Sequence, residues 1–181
     1  MFSLFSIFSA YDKKGAIDNK YLTATAPEDY VELKNEADDI LFLDKVHNGL
    51  ESIFSIDNTQ DILVQPNSET IKQFTPKEIL ITRLQSIEED TKQPGFNWKK
   101  FTLIDPPKEI TFKNYKGAEA TFTVEENVND TGKVVHRKIK RIVIFTSNDL
   151  WNFVLAPSES ANYDKEMNEF NDIMESIEIK K

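Results

Sequence analysis

The fold is decided by one stretch of sequence, residues 134–156, which reads VVHRKIKRIVIFTSNDLWNFVLA. Two runs rich in β-branched and aromatic residues, 134–146 and 150–156, flank a polar turn at 147–149, a composition typical of two strands joined by a tight turn. Upstream, residues 118–124 have a similar composition and are joined to this pair through a second polar turn. The sequence therefore predicts a meander of three antiparallel strands.

Two amphipathic helices are predicted outside the meander. The first begins at Thr75, because a threonine N-cap, Pro76 at the first helical position and Glu78 three residues after the cap form a capping box. In each helix the apolar residues recur at spacings of one, three or four, which places them on one face. These stripes are Ile79, Leu80, Leu84 and Ile87 in the first helix, and Tyr163, Met167, Phe170, Met174 and Ile177 in the C-terminal helix.

Turn and strand signals lie on both sides of the first helix. Asn48 and Gly49 favour a hairpin turn, because both residue types tolerate positive φ. After the helix, a strand at 98–104 is followed by Pro106 and Pro107, which are expected to break or bend its pairing.

Length and composition indicate a single α+β domain. The chain has 181 residues, of which 39% are hydrophobic, so it can bury a core without disulfides or metals. We expect one soluble domain over residues 20–181, built on an antiparallel sheet. Residues 1–19 begin with three Phe-Ser-apolar triplets and are expected to form an N-terminal arm or short helix, since the apolar run is too short to span a bilayer.

Charge and cysteine content exclude several classes of partner and site. The formal net charge is −9, whereas nucleic-acid affinity comes from clustered lysine and arginine, so nucleic acid is not an expected partner. The chain has no cysteine, which excludes disulfides, zinc–thiolate sites and a lipoprotein attachment thiol. No signal-peptide pattern is evident, which favours a cytoplasmic over an envelope-associated location while leaving the compartment and the oligomeric state open.

No catalytic or metal site is predicted. One Asp-Thr-Gly triplet at 130–132 resembles the aspartic-protease signature, but that chemistry needs two carboxylates that share a proton, so a hairpin turn is the favoured interpretation. His47, expected in an exposed turn, and His136, expected on the surface of a strand, each lack a second histidine or cysteine nearby. No serine lies in a nucleophile elbow and no glycine-rich phosphate loop is present. We therefore expect no enzyme activity and no cofactor.

A cluster of cations lies on the middle strand of the meander. Alternation directs Lys138 and Lys140 to one face and Arg137 and Arg141 to the other. In one interpretation these cations pair with the acidic residues across the hairpin, Glu119, Glu125 and Glu126. In the other, Arg137, Lys138, Lys140 and Arg141 form a docking patch for an anionic group.

Aromatic residues on the third strand of the meander permit two interpretations as well. Trp151, Phe153 and Leu155 alternate onto one face, as expected for core residues beneath a helix, which is the favoured interpretation. The alternative is a pocket for a small ligand, to which Trp98 would also contribute.

The C-terminal half resembles the PsbP-like and Mog-like superfamily. The resemblance rests on the meander at 116–156, the Asn-Tyr-Asp sequence at 162–164 and the helix that ends with Asp-Ile-Met-Glu-Ser-Ile at 172–177. The early segment 21–30 is similar to the opening strand and turn of that superfamily. This resemblance implies an antiparallel sheet with helices on both faces, an α/β/α sandwich, and it transfers no functional residue to this chain.

The resemblance also implies a class of function. Members of the superfamily are mostly non-enzymatic and include extrinsic photosystem subunits, a Ran-GTPase partner and bacterial envelope proteins. We therefore expect a non-catalytic binding or accessory module that acts through contacts with another protein. Two alternatives remain: a carrier of a small ligand or lipid in a cleft between helix and sheet, and an enzyme whose site matches no known motif.

Overall fold

The computed structural model describes residues 15–32, 39–47, 49–59, 73–128 and 132–180. The two helices are α1 (Pro76–Thr91) and α2 (Tyr163–Ser176), and a short 3-10 turn at Ser160–Asn162 precedes α2. The strands are β1 (Ala16–Asp18), β2 (Leu22–Thr25), β3 (Val31–Glu32), β4 (Asp39–His47), β5 (Leu50–Thr59), β6 (Trp98–Phe112), β7 (Tyr115–Val128), β8 (Lys133–Phe145), β9 (Leu150–Ala156) and β10 (Glu178–Ile179).

Seven strands form one antiparallel sheet in the order β3-β4-β5-β9-β8-β7-β6. The predicted meander is confirmed, because β7 pairs with β8 and β8 pairs with β9. β9 then completes the centre of the sheet by pairing with β5, a strand about a hundred residues earlier in the chain. A second, three-stranded antiparallel sheet has the order β1-β2-β10.

The N-terminus of α1 has the predicted capping box. The Thr75 hydroxyl accepts a hydrogen bond from the Glu78 backbone N–H at 3.2 Å, and the Glu78 carboxylate accepts one from the Thr75 N–H at 2.7 Å. Pro76 follows the cap at the first helical position, where no backbone donor is required. Local sequence chemistry therefore fixes where α1 begins.

The prolines at 106 and 107 bend the edge of the sheet without ending a strand. β6 runs continuously from Trp98 to Phe112, and its pairing with β7 shifts register between Asp105 and Lys108. Proline cannot donate a ladder hydrogen bond, but an edge strand has one side without a partner and tolerates it. The strand expected at 98–104 therefore continues through the prolines to Phe112 as one long bulged strand.

The buried residues form two hydrophobic clusters. The first, called the α1 cluster, contains Leu80, Leu84 and Ile87 of the helix together with Phe122, Ile139 and Val143 of the sheet. The second, called the α2 cluster, contains Phe170, Ile173, Met174 and Ile177 together with Phe54, Trp151 and Phe153. β8 contributes alternate residues to both clusters, with Ile139 and Val143 in the first and Ile142 and Ile144 in the second.

The last described strand, β10, lies in the small sheet beside β2. β10 pairs with β2, and the Lys180 N–H donates to the Tyr21 carbonyl at 2.8 Å. β1 falls within the segment expected as an N-terminal arm, and its Ile17 is buried in the α2 cluster. Residues 1–14 lie outside the described residues, so the rest of that expectation stays a prediction.

Three further expectations can be compared with the structure. The backbone of His47 belongs to β4 and pairs with Leu50, so the expected turn there is shorter than the sequence suggests. Asn48 and the first two residues of the Asp-Thr-Gly triplet lie outside the described residues. Within the described ranges, no helix combines the length and the apolar content needed to cross a bilayer.

Candidate functional site

The cations of β8 lie on two faces of the sheet. Arg137 and Arg141 are on the face that carries Ile139 and Val143, packed in the α1 cluster, whereas Lys138 and Lys140 are on the face of the α2 cluster. The four residues proposed as one anionic docking patch therefore do not form a single surface.

Arg137 is engaged in internal contacts. Its side chain is buried, its Nε forms an ion pair with the Glu126 carboxylate, and its Nη1 donates to the Glu51 carbonyl at 2.6 Å and the Pro157 carbonyl at 3.2 Å. These contacts tie β8 to β7, to β5 and to the end of β9. Arg137 is a structural anchor in this arrangement, and its donors are directed away from solvent.

Cross-strand pairing, the first interpretation of the basic strand, is confirmed for Arg137 with Glu126 and for Lys140 with Glu119. Glu126 pairs with Arg137, the Glu125 carboxylate lies 3.7 Å from the His136 ring, and the Glu119 carboxylate lies 3.4 Å from the Lys140 ammonium. His136 is largely exposed, as expected for a surface histidine. The exposed His136–Glu125 contact contributes little stability, because water and salt screen it.

Lys138 lies over the ring of Tyr163, the first residue of α2. The ammonium nitrogen is 4.0 Å from the ring centroid, which is the geometry of a cation–π contact. Burial raises the pKa of the half-buried Tyr163 hydroxyl, and a hydrogen bond with Thr121 partly opposes that rise. The ring thus positions Lys138 without neutralising its charge.

Lys138 and Lys140 line a small cleft beside the bulge of β6. The cleft has a volume of about 120 Å³. We call it the lysine cleft, and its lining residues are Asp105, Lys108, Glu119, Ala120, Thr121, Lys138, Lys140 and Tyr163. Three ammonium groups face two carboxylates here, so the cleft has a formal excess of one positive charge in a chain of net charge −9.

Glu119 is the centre of the charge arrangement in the cleft. Its carboxylate lies 2.8 Å from the Lys108 ammonium and 3.4 Å from the Lys140 ammonium. Because one carboxylate is shared between two lysines, each ammonium keeps donors for a further acceptor. The lysine cleft can therefore hold one anionic group, such as a carboxylate, between its lysines.

Arg141 lies on the other face of β8, together with Ile139 and Val143 of the α1 cluster. Its Nε donates to the Asn152 amide oxygen at 3.0 Å, and the Asn152 amide nitrogen donates to the Asp57 carboxylate at 2.6 Å. Burial and the nearby charge of Arg83 lower the pKa of the Arg141 guanidinium to about 10, while the charge of Asp57 opposes the shift. Arg141 therefore belongs to an environment separate from the lysine cleft.

The aromatic residues of the third meander strand are core residues. Trp151 and Phe153 are 1% and 0% exposed and stack on each other in the α2 cluster. This confirms the favoured interpretation. Trp98 is half-buried at the edge of the α1 cluster. Among the described residues, no group of three histidine, cysteine, aspartate or glutamate side chains is placed to hold a metal ion.

Comparisons with known proteins are informative at the level of structure. The chain is similar to the solution structure of cyanobacterial PsbP (CyanoP) from Synechocystis sp. PCC 6803, with a TM-score of 0.64 at 10% identity, over 95% of this chain and 96% of that one. The fold is PsbP-like. The chain is also similar to LpqN of Mycobacterium tuberculosis, a protein involved in cell envelope biogenesis, with a TM-score of 0.54 at 14% identity, over 88% of this chain and 83% of that one. No protein-family model matches the sequence, and no curated protein matches it.

Within this PsbP-like fold, sequence reasoning missed three residues of interest. Lys108 reaches the lysine cleft only because the proline pair shifts the register of β6, and the sequence gives no sign of that pairing. Tyr163 was expected only as part of a buried stripe, yet it lines the cleft. Arg83, which lies outside the predicted apolar stripe of α1, is partly buried, and its charge lowers the pKa of Arg141.

Proposed function

We propose that the chain is a non-catalytic binding or accessory module that contacts another protein through the lysine cleft. The observation that supports this is the position of Lys138 and Lys140 beside an open cleft, with Lys138 held over the Tyr163 ring. A preorganised cation loses less conformational freedom on binding than a free lysine side chain. An acidic side chain on the partner is the group that this cleft suits best.

The charge distribution supports a protein partner over nucleic acid. The chain as a whole is acidic, with 31 acidic and 22 basic residues. A phosphate backbone would be repelled by most of such a surface, whereas a protein partner needs only a local complementary patch.

Cleft size favours a docking site over the carrier alternative. Pockets that enclose drug-sized ligands have volumes of roughly 300–1,000 Å³, whereas the lysine cleft has a volume of about 120 Å³. A lipid chain would need more space than this cleft provides. For the enzyme alternative, the candidate groups in this cleft are its lysines, Tyr163 and Glu119, and a substrate screen tests it directly.

For the architecture, we propose that α1 and α2 cover opposite faces of the seven-stranded sheet, as in an α/β/α sandwich. Two observations support this. The helices pack in different clusters, and β8 contributes odd-numbered residues to one cluster and even-numbered residues to the other. Because successive side chains of a strand lie on opposite faces, this alternation is expected when the clusters lie on opposite sides.

The test of the proposed function uses the purified full chain as bait in an extract of its native cells. Any protein recovered is then produced separately, and its affinity is measured by isothermal titration calorimetry. The double variant Lys138→Gln/Lys140→Gln should weaken binding about tenfold or more, because each charge-assisted hydrogen bond contributes roughly 1.5–3 kcal/mol. Lys165→Gln, which removes an exposed lysine of α2, is the matched control and should bind as the wild type does.

Two outcomes would reject the proposal. Equal affinity of the double variant and the wild type would show that the partner does not use the lysine cleft. Failure to recover any partner, together with turnover of a substrate that the double variant cannot process, would favour the enzyme alternative.

A further inference from the structure

Glu119 lies between two lysines of the lysine cleft because of the register of three strands. On β6, Lys108 is directly opposite Glu119 of β7. On β8, Lys140 is directly opposite Thr121, which is two residues beyond Glu119 on the same face of β7. Each carboxylate oxygen of Glu119 therefore contacts its own lysine: Oε1 lies 2.8 Å from the Lys108 ammonium and Oε2 lies 3.4 Å from the Lys140 ammonium.

The two contacts of Glu119 differ in length and in exposure. Charge-assisted hydrogen bonds from nitrogen to oxygen usually have lengths of about 2.7–2.9 Å, so the Lys108 contact is close and the Lys140 contact is looser. The side chain of Lys108 is 66% exposed, whereas those of Lys140 and Glu119 are 22% and 17% exposed. The looser pair is thus the one better shielded from water, where a charge acts more strongly on its neighbours.

Lys138 lies next to this pair, on the same face of β8 as Lys140. Its ammonium is held over the Tyr163 ring, a neutral partner that leaves the positive charge in place. An anion bound between Lys138 and Lys140 would come close to Glu119, because Glu119 contacts Lys140. The charge of Glu119 therefore acts on whatever group the two lysines bind.

We propose that Glu119 makes the lysine cleft selective for a single carboxylate over a doubly charged phosphate. This inference rests on the proposed function of the cleft. An anion held by Lys138 and Lys140 competes with Glu119 for Lys140, and the negative charge of Glu119 repels a dianion about twice as strongly as a monoanion. A carboxylate neutralises the formal excess of one positive charge among the lining residues, whereas a phosphate dianion would reverse its sign. The partner then presents an unmodified aspartate or glutamate to the cleft.

Two capped peptides provide matched probes of this selectivity. Each is an acetylated and amidated tripeptide with alanine on both sides of one charged residue, which is glutamate in the first and phosphoserine in the second. At about pH 8 the phosphoserine is a dianion, because its second pKa is about 6. Titration into the isotope-labelled full chain at constant ionic strength is followed by NMR, through the backbone amides of Ala120 and Thr121 in the cleft. In the wild type, the glutamate peptide should bind at least as tightly as the phosphoserine peptide.

Glu119→Gln preserves the size of the side chain and removes its charge. Both peptides should then bind more tightly, and the ratio of their affinities should shift toward phosphoserine by about fivefold or more, as expected when one nearby like charge is removed. Glu89→Gln is the matched control, because the Glu89 carboxylate also lies 2.8 Å from a lysine ammonium, that of Lys92, but at the C-terminal end of α1. The control should leave both affinities unchanged.

The double variant Lys138→Gln/Lys140→Gln distinguishes failure of this inference from failure of the proposed function. It should abolish the peptide-induced shifts of Ala120 and Thr121. If the wild type shows no shifts up to about 50 mM peptide, or if the double variant shows the same shifts, the cleft does not hold an acidic group and both proposals fail. If only the wild type binds, but it prefers phosphoserine or has the same affinity ratio as Glu119→Gln, the proposed function stands and the role of Glu119 is rejected.

Discussion

At the residue scale, neighbouring cations of β8 have different roles because successive side chains lie on opposite faces. Arg137 is 6% exposed and supplies donors to one carboxylate and two backbone carbonyls. Loss of these donors would leave buried acceptors without a hydrogen bond. The resulting loss of folding free energy exceeds the net stabilisation that one hydrogen bond provides. Lys138, by contrast, makes a contact with Tyr163 that leaves its charge available.

A second charged cluster joins α2 to β4 and to the turn before β3. The Tyr30 hydroxyl donates to the Glu169 carboxylate at 3.0 Å, and the Lys45 ammonium lies 2.8 Å from Glu169 and 2.6 Å from Asp29. Burial is the main cause that raises the pKa of Tyr30, and the negative charge of Glu169 contributes to the same effect.

This raised pKa predicts a dependence of stability on alkaline pH. The unfolded chain releases the Tyr30 proton near the ordinary pKa of 10.0, whereas the folded chain retains it. The stabilising contribution is therefore complete below about pH 10 and decreases above it by up to about 1.4 kcal/mol per pH unit. Tyr30→Phe should show a smaller alkaline decrease in urea-unfolding free energy measured between about pH 8 and 11. Parallel pH profiles for variant and wild type would contradict the assignment.

At the element scale, local signals were predictable and pairing partners were not. The start of α1 is set by residues adjacent in sequence, Thr75 to Glu78, so the capping box could be inferred directly. The continuity of β6 through two prolines depends on its position at the edge of the sheet, which only the tertiary structure determines. The alternation along β8 placed Lys140 on one face of the sheet in advance. The position of Lys108, which contacts the same Glu119 carboxylate, depends on the shifted register of β6 and was not predictable.

Close contact between β7 and β8 predicts a requirement for glycine at position 117. A Cβ added to Gly117 would lie 2.8 Å from Ile144 Cγ2 and 2.8 Å from the Val143 carbonyl oxygen. The backbone oxygen cannot move away without disturbing the ladder, so Gly117→Ala should destabilise the fold by about 1–3 kcal/mol in urea unfolding. Gly95→Asn is a suitable comparison: an added Cβ there meets no atom within 4 Å, and asparagine tolerates the positive φ of 83°. If Gly117→Ala lowers the free energy of unfolding no more than Gly95→Asn does, β7 and β8 can separate locally.

At the scale of the whole molecule, the topology makes distant parts of the chain depend on one another. β9 lies between β5 and β8, so the sheet is complete only when β5, together with β4 and β3, pairs with the meander of β7, β8 and β9. β10 then pairs with β2 directly after α2, which connects the C-terminus to the small sheet. Such long-range pairings leave no periodic signal in a single sequence, which explains why the meander was predictable and the strand order was not.

Ile177 tests this interdependence, because it lies between α2 and β10 and is fully buried in the α2 cluster. Ile177→Ala should reduce the free energy of unfolding by about 3 kcal/mol, through lost burial and the cavity that remains. Val46→Ala, at a residue that is 65% exposed on β4, is the control and should change stability by less than about 0.5 kcal/mol.

If the small sheet and the large sheet unfold together, the urea transition of Ile177→Ala shifts to a lower urea concentration. The slope of the transition stays unchanged, because the same surface is exposed in one step. A second transition at low urea would instead mean that the small sheet unfolds by itself, since β10 would then separate from β2 while the meander stays folded.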